Sequence, residues 1–518
     1  MREGIILIEK LIAYARAFLY LEEADVTYMR NRLRQMLNVE GAITENVDVS
    51  YVAKMETPDA LLRELAEYLQ AHSVCPEGDI ERFSAMIMGE LSPRPSAVIH
   101  AFRTTKERVN SEAACEYLYH LSMKNDYIKK SAVDKNLKWD YADQETGNRL
   151  EITVNLSKPE KNNKDIAKLL SIPKTDELPY PPCVLCKENE GFFGNAKIAP
   201  RTNLRTLPLT LAGESWFMQY SPYLYYNEHC IVINNEHVPM SINKKTVQRV
   251  LDFVSYLPEY FLGSNAALPI VGGSILNHEH YQGGRHVMPM HDAKVVNPVY
   301  FDGFTDVEVG ILGWYNSAIR LVSAKREQIE RLAERIISVW ENYTDESVGI
   351  YASTGEVKHN TLSPIARILP NGKYCLEIIL RNNRTDETYP EGIFHAHPEY
   401  HNIKHEGIGL IEAMGLFILP GRLKKEMQGI ASFLTGEEVY SEENLAVSGH
   451  PLFVHRNAIQ SLVQTYGTNL SMEEANKAVV SYINDVCKNI LYNTAVFKKD
   501  EVGQAAFLRF LSKVEESL

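Results

Sequence analysis

Two thiols separated by two residues, Cys183 and Cys186 in the run Cys-Val-Leu-Cys, can close on one soft or borderline cation with tetrahedral geometry. Spacing alone leaves two readings open. The pair is either half of a metal-ligand set or two unliganded or redox-active thiols, since no second Cys-x-x-Cys follows to complete a four-thiolate site. A metal would then need histidines, and His229, His237, His278, His280 and His286 are the downstream candidates.

The second signal is Gly272-Gly273-Ser274-Ile275-Leu276-Asn277-His278-Glu279-His280-Tyr281-Gln282-Gly283-Gly284. On an extended chain, side chains two residues apart share a face at about 6.5–7 Å, which would align His278, His280 and Gln282. One metal has no economical use for all three. One histidine therefore goes to metal and the other stays free as nucleophile or base, with the glutamine amide set to hydrogen-bond a phosphoryl oxygen. Backbone amides near Gly272, Gly273 and Gly283 allow a phosphate to approach closely, Ser274 is a candidate substrate contact beside them, and Arg201 and Arg205 are candidate cations. A surface loop rich in histidine and glycine is the competing reading.

His395-Ala-His397, with Glu399, His401, His405 and Glu406 nearby, has the residue types of a second metal site but no defining spacing, so solvated histidines compete with it. Commoner catalytic patterns are missing. No G-x-x-x-x-G-K-[ST] loop or G-x-S-x-G elbow occurs, and Gly407-Ile408-Gly409 lacks the third glycine of a dinucleotide fingerprint. Tyr220, Tyr223, Tyr225 and Tyr226 offer either a stacking wall for a base or ordinary core.

These groups need elements to position them. Apolar residues recur at helical spacing over 5–38, 59–72 and 111–129, which predicts a mainly helical region over 1–135. The period changes to two at GNRLEITVNLS, where Leu150, Ile152, Val154 and Leu156 alternate with Glu151, Thr153 and Asn155. KPEKNNKD (158–165) and the prolines of LPYPPC (178–183) break the chain, and HCIVIN and LPIVGGSIL suit strands, so 136–300 reads as an α+β domain. A helix over 327–343, a strand over 373–382 and an apolar helix-like run over 406–419 predict a second α+β domain at 301–435. In the helical tail, 436–518, Ser471 and Glu474 form a capping-box pattern opening a helix through Tyr492.

Composition excludes further classes. A chain of 518 residues, 45% hydrophobic and 23% charged, is ordinary globular material with room for roughly three domains. Its 67 acidic and 54 basic residues leave a net charge of −13, which repels polyanions and argues against nucleic acid as a partner. Seven sparse cysteines predict reduced thiols in a cytosol. Arg2, Glu3, Glu9, Lys10 and Arg16 interrupt the apolar N-terminus, so neither a signal sequence nor a membrane partner is expected, and the protein is expected to be cytoplasmic.

Four segments carry a resemblance: CVLCKENEGFFG, QYSPYLYYNEHCIVINNEHVPM, LPIVGGSILNHEHYQGG and FHAHPEYHNIKHEGIGLIEAMGLFILPGRL. In order and content they resemble the second class of galactose-1-phosphate uridylyltransferases, from about residue 5 to the C-terminal region. That family belongs to the histidine-triad superfamily. The resemblance implies two tandem histidine-triad-like α+β domains, flanked by a helical N-terminal region and a helical C-terminal tail, with the nucleophile in the first only. It implies His280 as nucleophile, Gln282 as the phosphoryl contact, and a structural zinc on Cys183, Cys186, His237 and His278. It further implies a homodimer, and it makes His395 and His397 candidates for a second metal. The sequence departs from the first-class pattern in two places: Glu279 stands where that class has proline, and Ser274 lies four residues before His278 rather than three.

The implied activity is exchange of UMP between UDP-glucose and galactose 1-phosphate by double displacement, giving glucose 1-phosphate and UDP-galactose. Two alternatives remain at this level. One is another histidine-triad nucleotidyl transferase, such as a dinucleoside polyphosphate phosphorylase; the other is a non-catalytic, zinc-stabilised nucleotide-binding protein.

Overall fold

The computed structural model describes residues 2–41, 47–157 and 179–517, so the lysine-rich breaker at 158–165 lies outside the described residues. Helices fill the first part of the chain, at Arg2–Phe18, Val26–Leu37, Asp59–Ala71, Ile80–Leu91, Pro95–Arg108 and Ser111–Lys124. The periodic stretch 5–38 is two helices rather than one, because the chain reverses at Tyr20, whose φ of 59° no helix interior accepts. Leu7, Ile8, Leu11, Ile12 and Ala15 form the buried stripe of the first helix.

Among the described residues, fifteen strands follow: β1 (Leu137–Ala142), β2 (Arg149–Asn155), β3 (Leu207–Leu211), β4 (Glu214–Tyr220), β5 (Cys230–Asn234), β6 (Phe261–Ser264), β7 (His280–Gly284), β8 (Val295–Val299), β9 (Glu308–Leu312), β10 (Ala318–Ser323), β11 (Ser353–Thr354), β12 (Val357–Lys358), β13 (Asn360–Ile368), β14 (Tyr374–Asn382) and β15 (Leu416–Pro420). Ten of them form one antiparallel sheet in the order β3-β4-β5-β7-β6-β13-β14-β10-β9-β8. That order is the same five-strand pattern twice. In each half the first three strands run in sequence, a helix follows (Lys244–Tyr256 or Arg326–Glu341), and the last two strands are swapped in space. The halves meet back to back where β6 pairs with β13, at Gly263↔Ile365 and Leu262↔Ala366. The α+β architecture of two tandem five-strand units, with helical ends, is therefore what the chain builds.

One sheet face packs against both crossover helices, the N-terminal helices and the last helix, Glu501–Glu516, around Trp216, Phe253, Ile336 and Trp340. The other face meets a small sheet, β1-β2-β15, and the helices Leu423–Thr435, Arg456–Tyr466 and Met472–Thr494. The capping box at Ser471 and Glu474 opens the last of these.

Three local expectations change. Central β2 buries Thr153 and Asn155 as well as its apolar residues, with a strand paired on either side of it. Residues 268–276 form a loop rather than a strand: a side chain at Gly272 would meet the Ala266 and Leu268 carbonyl oxygens at 2.5 and 2.6 Å, so only glycine lets these segments approach. The run 406–419 is a single helical turn, Leu410–Ala413, which Gly415 ends at φ +96° against the Trp314 ring before β15 pairs in parallel with β2.

Candidate active site

Cys183 and Cys186 sit on a turn braced from below, where the Asn189 side-chain amide donates to both of their carbonyl oxygens at 2.8 and 2.7 Å. Their sulfurs are 3.4 Å apart. Nδ1 of His278 lies 3.2 Å from the Cys183 sulfur and 3.6 Å from that of Cys186, and Nδ1 of His237 lies 3.1 Å from Cys186. A tetrahedral ion with bonds of about 2.0–2.3 Å needs donors roughly 3.5 Å apart, which these four side chains supply. All four donor atoms fall within 4.8 Å of one another. Nε2 of His278 donates to the Asn234 carbonyl at 2.8 Å, which leaves its Nδ1 lone pair facing the thiols. Burial opposes ionisation of Cys183, yet contacts from His278 and the Leu185 amide outweigh it and hold its pKa below the ordinary thiol value. The donor set thus fits a metal ion, and it excludes His229, His280 and His286 from that role.

His280 opens β7, two residues after the last of these donors. It is almost wholly buried, and burial lowers its pKa, so the ring is neutral at pH 7. Its Nδ1 lies 2.8 Å from the His278 carbonyl, an oxygen that only accepts, so Nδ1 carries the proton and Nε2 keeps its lone pair. Gln282 shares that face of the strand. Glu279 points the other way, into a buried network. Nη1 of Arg249, on the crossover helix, donates to it at 2.6 Å, and the Asn234 amide donates at 3.0 Å. The first-class proline is thereby replaced by an ion pair that ties β7 to its helix.

A cleft of about 1650 Å³ opens against Gln282, although the buried His280 is not among its lining residues; it is well above the roughly 300–1,000 Å³ of an ordinary small-molecule pocket. Gln282, Gly272, Gly273 and Ser274 line it from the first half, and Lys404 to Glu412 from the far side. Of the tyrosine run, Tyr223 and Tyr225 line the cleft, their rings stacked at 6.1 Å; Tyr220 and Tyr226 are buried in the core.

Arg201 and Arg205 do not line the cleft. Arg205 is buried and donates to the carbonyls of Pro93, Thr202, Leu204 and Gly89 at 2.7–3.0 Å, holding an N-terminal helix to the loop before β3. Arg201 donates to its neighbour Pro200 and lies over the Tyr127 ring. The cleft's cations are instead Arg82, Lys197, Lys404 and Arg422, which no local motif marks out.

In the second half β14 takes the place of β7 and carries no histidine. Its Glu377 is fully buried between Arg320 and Arg367, beside His291. His395 and His397 do not converge. His395 accepts from the Ile408 amide at 3.0 Å, while His397 stacks on Tyr389 and donates to the Ile393 carbonyl. The sequence offers His229 only as one of five candidate metal ligands; the structure sets its ring against Gln282 instead.

Two family models match this chain in succession. The chain matches the model of the galactose-1-phosphate uridyl transferase N-terminal domain over residues 21–239 and that of the C-terminal domain over 253–436. The galactose-1-phosphate uridylyltransferase of Caldanaerobacter subterraneus subsp. tengcongensis is 43% identical over 97% of this chain and 96% of its own length. That of Bacillus subtilis is 39% identical over 98% and 97%. A crystal structure of yeast Ap4A phosphorylase Apa2 is far more distant, at 9% identity and a TM-score of 0.32 over 65% of this chain and 92% of that one. The fold and these relatives define a nucleotidyltransferase built from two fused halves. The chain belongs to the galactose-1-phosphate uridylyltransferase family, and its reaction is uridylyl transfer between UDP-glucose and galactose 1-phosphate. No helix among the described residues is long and apolar enough to cross a membrane.

Proposed function

We propose that this uridylyl transfer is a double displacement through His280. Its Nε2 attacks the α-phosphorus of UDP-glucose, a P–N bond forms as the P–O bond to glucose 1-phosphate breaks, and that oxygen leaves as part of the sugar phosphate. Galactose 1-phosphate then attacks the uridylyl-histidine, and Nε2 recovers its lone pair as UDP-galactose departs. The observation that carries this reading is the 2.8 Å contact from His280 Nδ1 to the His278 carbonyl, which presents a neutral ring with its free nitrogen at Nε2.

Gln282 is assigned to a nonbridging oxygen of the transferred group, and the amides of Gly272, Gly273 and Ser274 to the neighbouring phosphate. Cys183, Cys186, His237 and His278 are assigned to zinc. When bound, zinc supplies structural cross-linking only, joining the Cys183 turn to the segment that leads into β7. We further infer a cytoplasmic homodimer, supported by the family resemblance and the reduced cysteines.

Mass spectrometry of the full chain after incubation with UDP-glucose tests the intermediate. A uridylyl adduct on His280, absent in His280→Gly, is expected; full exchange activity in that variant overturns the assignment. Comparing galactose 1-phosphate with inorganic phosphate as acceptor separates this reading from a phosphorylase.

A further inference from the structure

A second group of metal-type ligands lies away from the zinc set, in the segment between β14 and the single turn at Leu410. Nε2 of His405 is 3.3 Å from one oxygen of the Glu391 carboxylate, and Nε2 of His401 is 3.8 Å from the other. The two imidazoles stand edge to face with centroids 4.7 Å apart. One ligand atom from each of the three residues falls within 4.8 Å of the others.

We propose that Glu391, His401 and His405 form a second metal site, for a borderline divalent cation of the Zn²⁺ type. The chemistry follows from the donors. Two imidazole nitrogens and a carboxylate suit first-row divalent ions, and bonds of about 2.0–2.2 Å set neighbouring donors roughly 3.3 Å apart in a tetrahedral site. The carbonyl oxygen of Ala396 lies 3.0 Å from Nε2 of His401. An ion there would displace the proton that His401 now shares with that carbonyl, and water would complete the shell.

The site differs from the first in kind, having no thiolate. Its effect is also local. It would tie residue 391, after β14, to residues 401 and 405, the second of which sits between the cleft-lining residues Lys404 and Glu406. The Cys183 set braces the nucleophile's side of the cleft; this one would brace the opposite wall.

Cobalt titration of the purified full-length protein tests it, with bound Co²⁺ counted by equilibrium dialysis and its visible spectrum recorded. With the Cys183 set already filled by zinc, the wild type should take up one further Co²⁺ with weak bands and no thiolate-to-cobalt charge transfer. Glu391→Gln and His405→Ala alter exposed side chains and should fold normally; each should weaken that uptake by about tenfold or more. Cys183→Ala should retain it. Uptake unchanged in both exposed variants overturns the site, as does a wild type whose bound cobalt shows only thiolate character.

Discussion

Nε2 of His229 lies 3.1 Å from Oε1 of Gln282. The amide oxygen can only accept, so the imidazole donates, and the Gln282 NH₂ group is turned into the cleft as a donor. His229 thereby chooses which end of the glutamine faces the cleft.

His229→Leu should free that amide to rotate. Losing one orienting hydrogen bond is worth about 1–2 kcal/mol, so kcat should fall roughly 5- to 30-fold with KM for UDP-glucose little changed. Steady-state kinetics check this. A variant with wild-type kcat would mean that Gln282 is held by something else.

Cys183→Ser should lower zinc measured by elemental analysis and lower the melting temperature, since the turn bearing Cys186 loses its link to His278. Prolonged chelation of the wild type should reproduce the shift. If the purified wild type holds no zinc at this set, the bracing role fails.

Glu279→Gln leaves the Arg249 guanidinium buried beside a neutral amide, with only the partly exposed Glu214 as counter-charge. Breaking a buried pair in this way costs about 3–5 kcal/mol. Urea unfolding should register most of it, while kcat of the folded fraction stays close to wild type, because Glu279 faces away from the cleft.

Arg205→Met should destabilise the fold by a few kcal/mol, on the order of one per lost charged hydrogen bond, without raising KM for either substrate. A specific rise in KM at unchanged stability would return Arg205 to the phosphate site.

Acid should weaken the fold through histidines buried as neutral rings. Burial lowers the pKa of His229 to about 4, and burial, with Arg381 nearby, lowers that of His395 to about 3. The unfolded chain binds these protons below about pH 6.5 while the native state does not, so stability is full above that value and falls as pH drops toward 4. Melting curves from pH 7 to pH 5 should show this loss, with a shallower slope in His395→Gln. Identical slopes would exclude His395 as a contributor.

The sequence by itself determined the features written in short-range spacing. Cys183 and Cys186 two residues apart, His280 two after His278, the helical stripe from Leu7 to Ala15 and the capping box at Ser471 each depend on neighbours in the chain, where backbone periodicity alone sets geometry. Tertiary structure decided what depends on distant partners. His237 rather than His229 or His286 joins the thiols, across 51 residues, because β5 delivers it there. Arg205 is spent on carbonyls 112 and 116 residues away in sequence, so its charge never reaches the cleft. LPIVGGSIL forms a loop in which Gly272 lies against the Ala266 and Leu268 carbonyls, and 406–419 forms a turn plus a strand separated by Gly415 at positive φ; both arrangements depend on distant partners such as Trp314 and β2. Composition and spacing state which chemistry a chain carries; only packing brings a donor within about 3 Å of the group it serves.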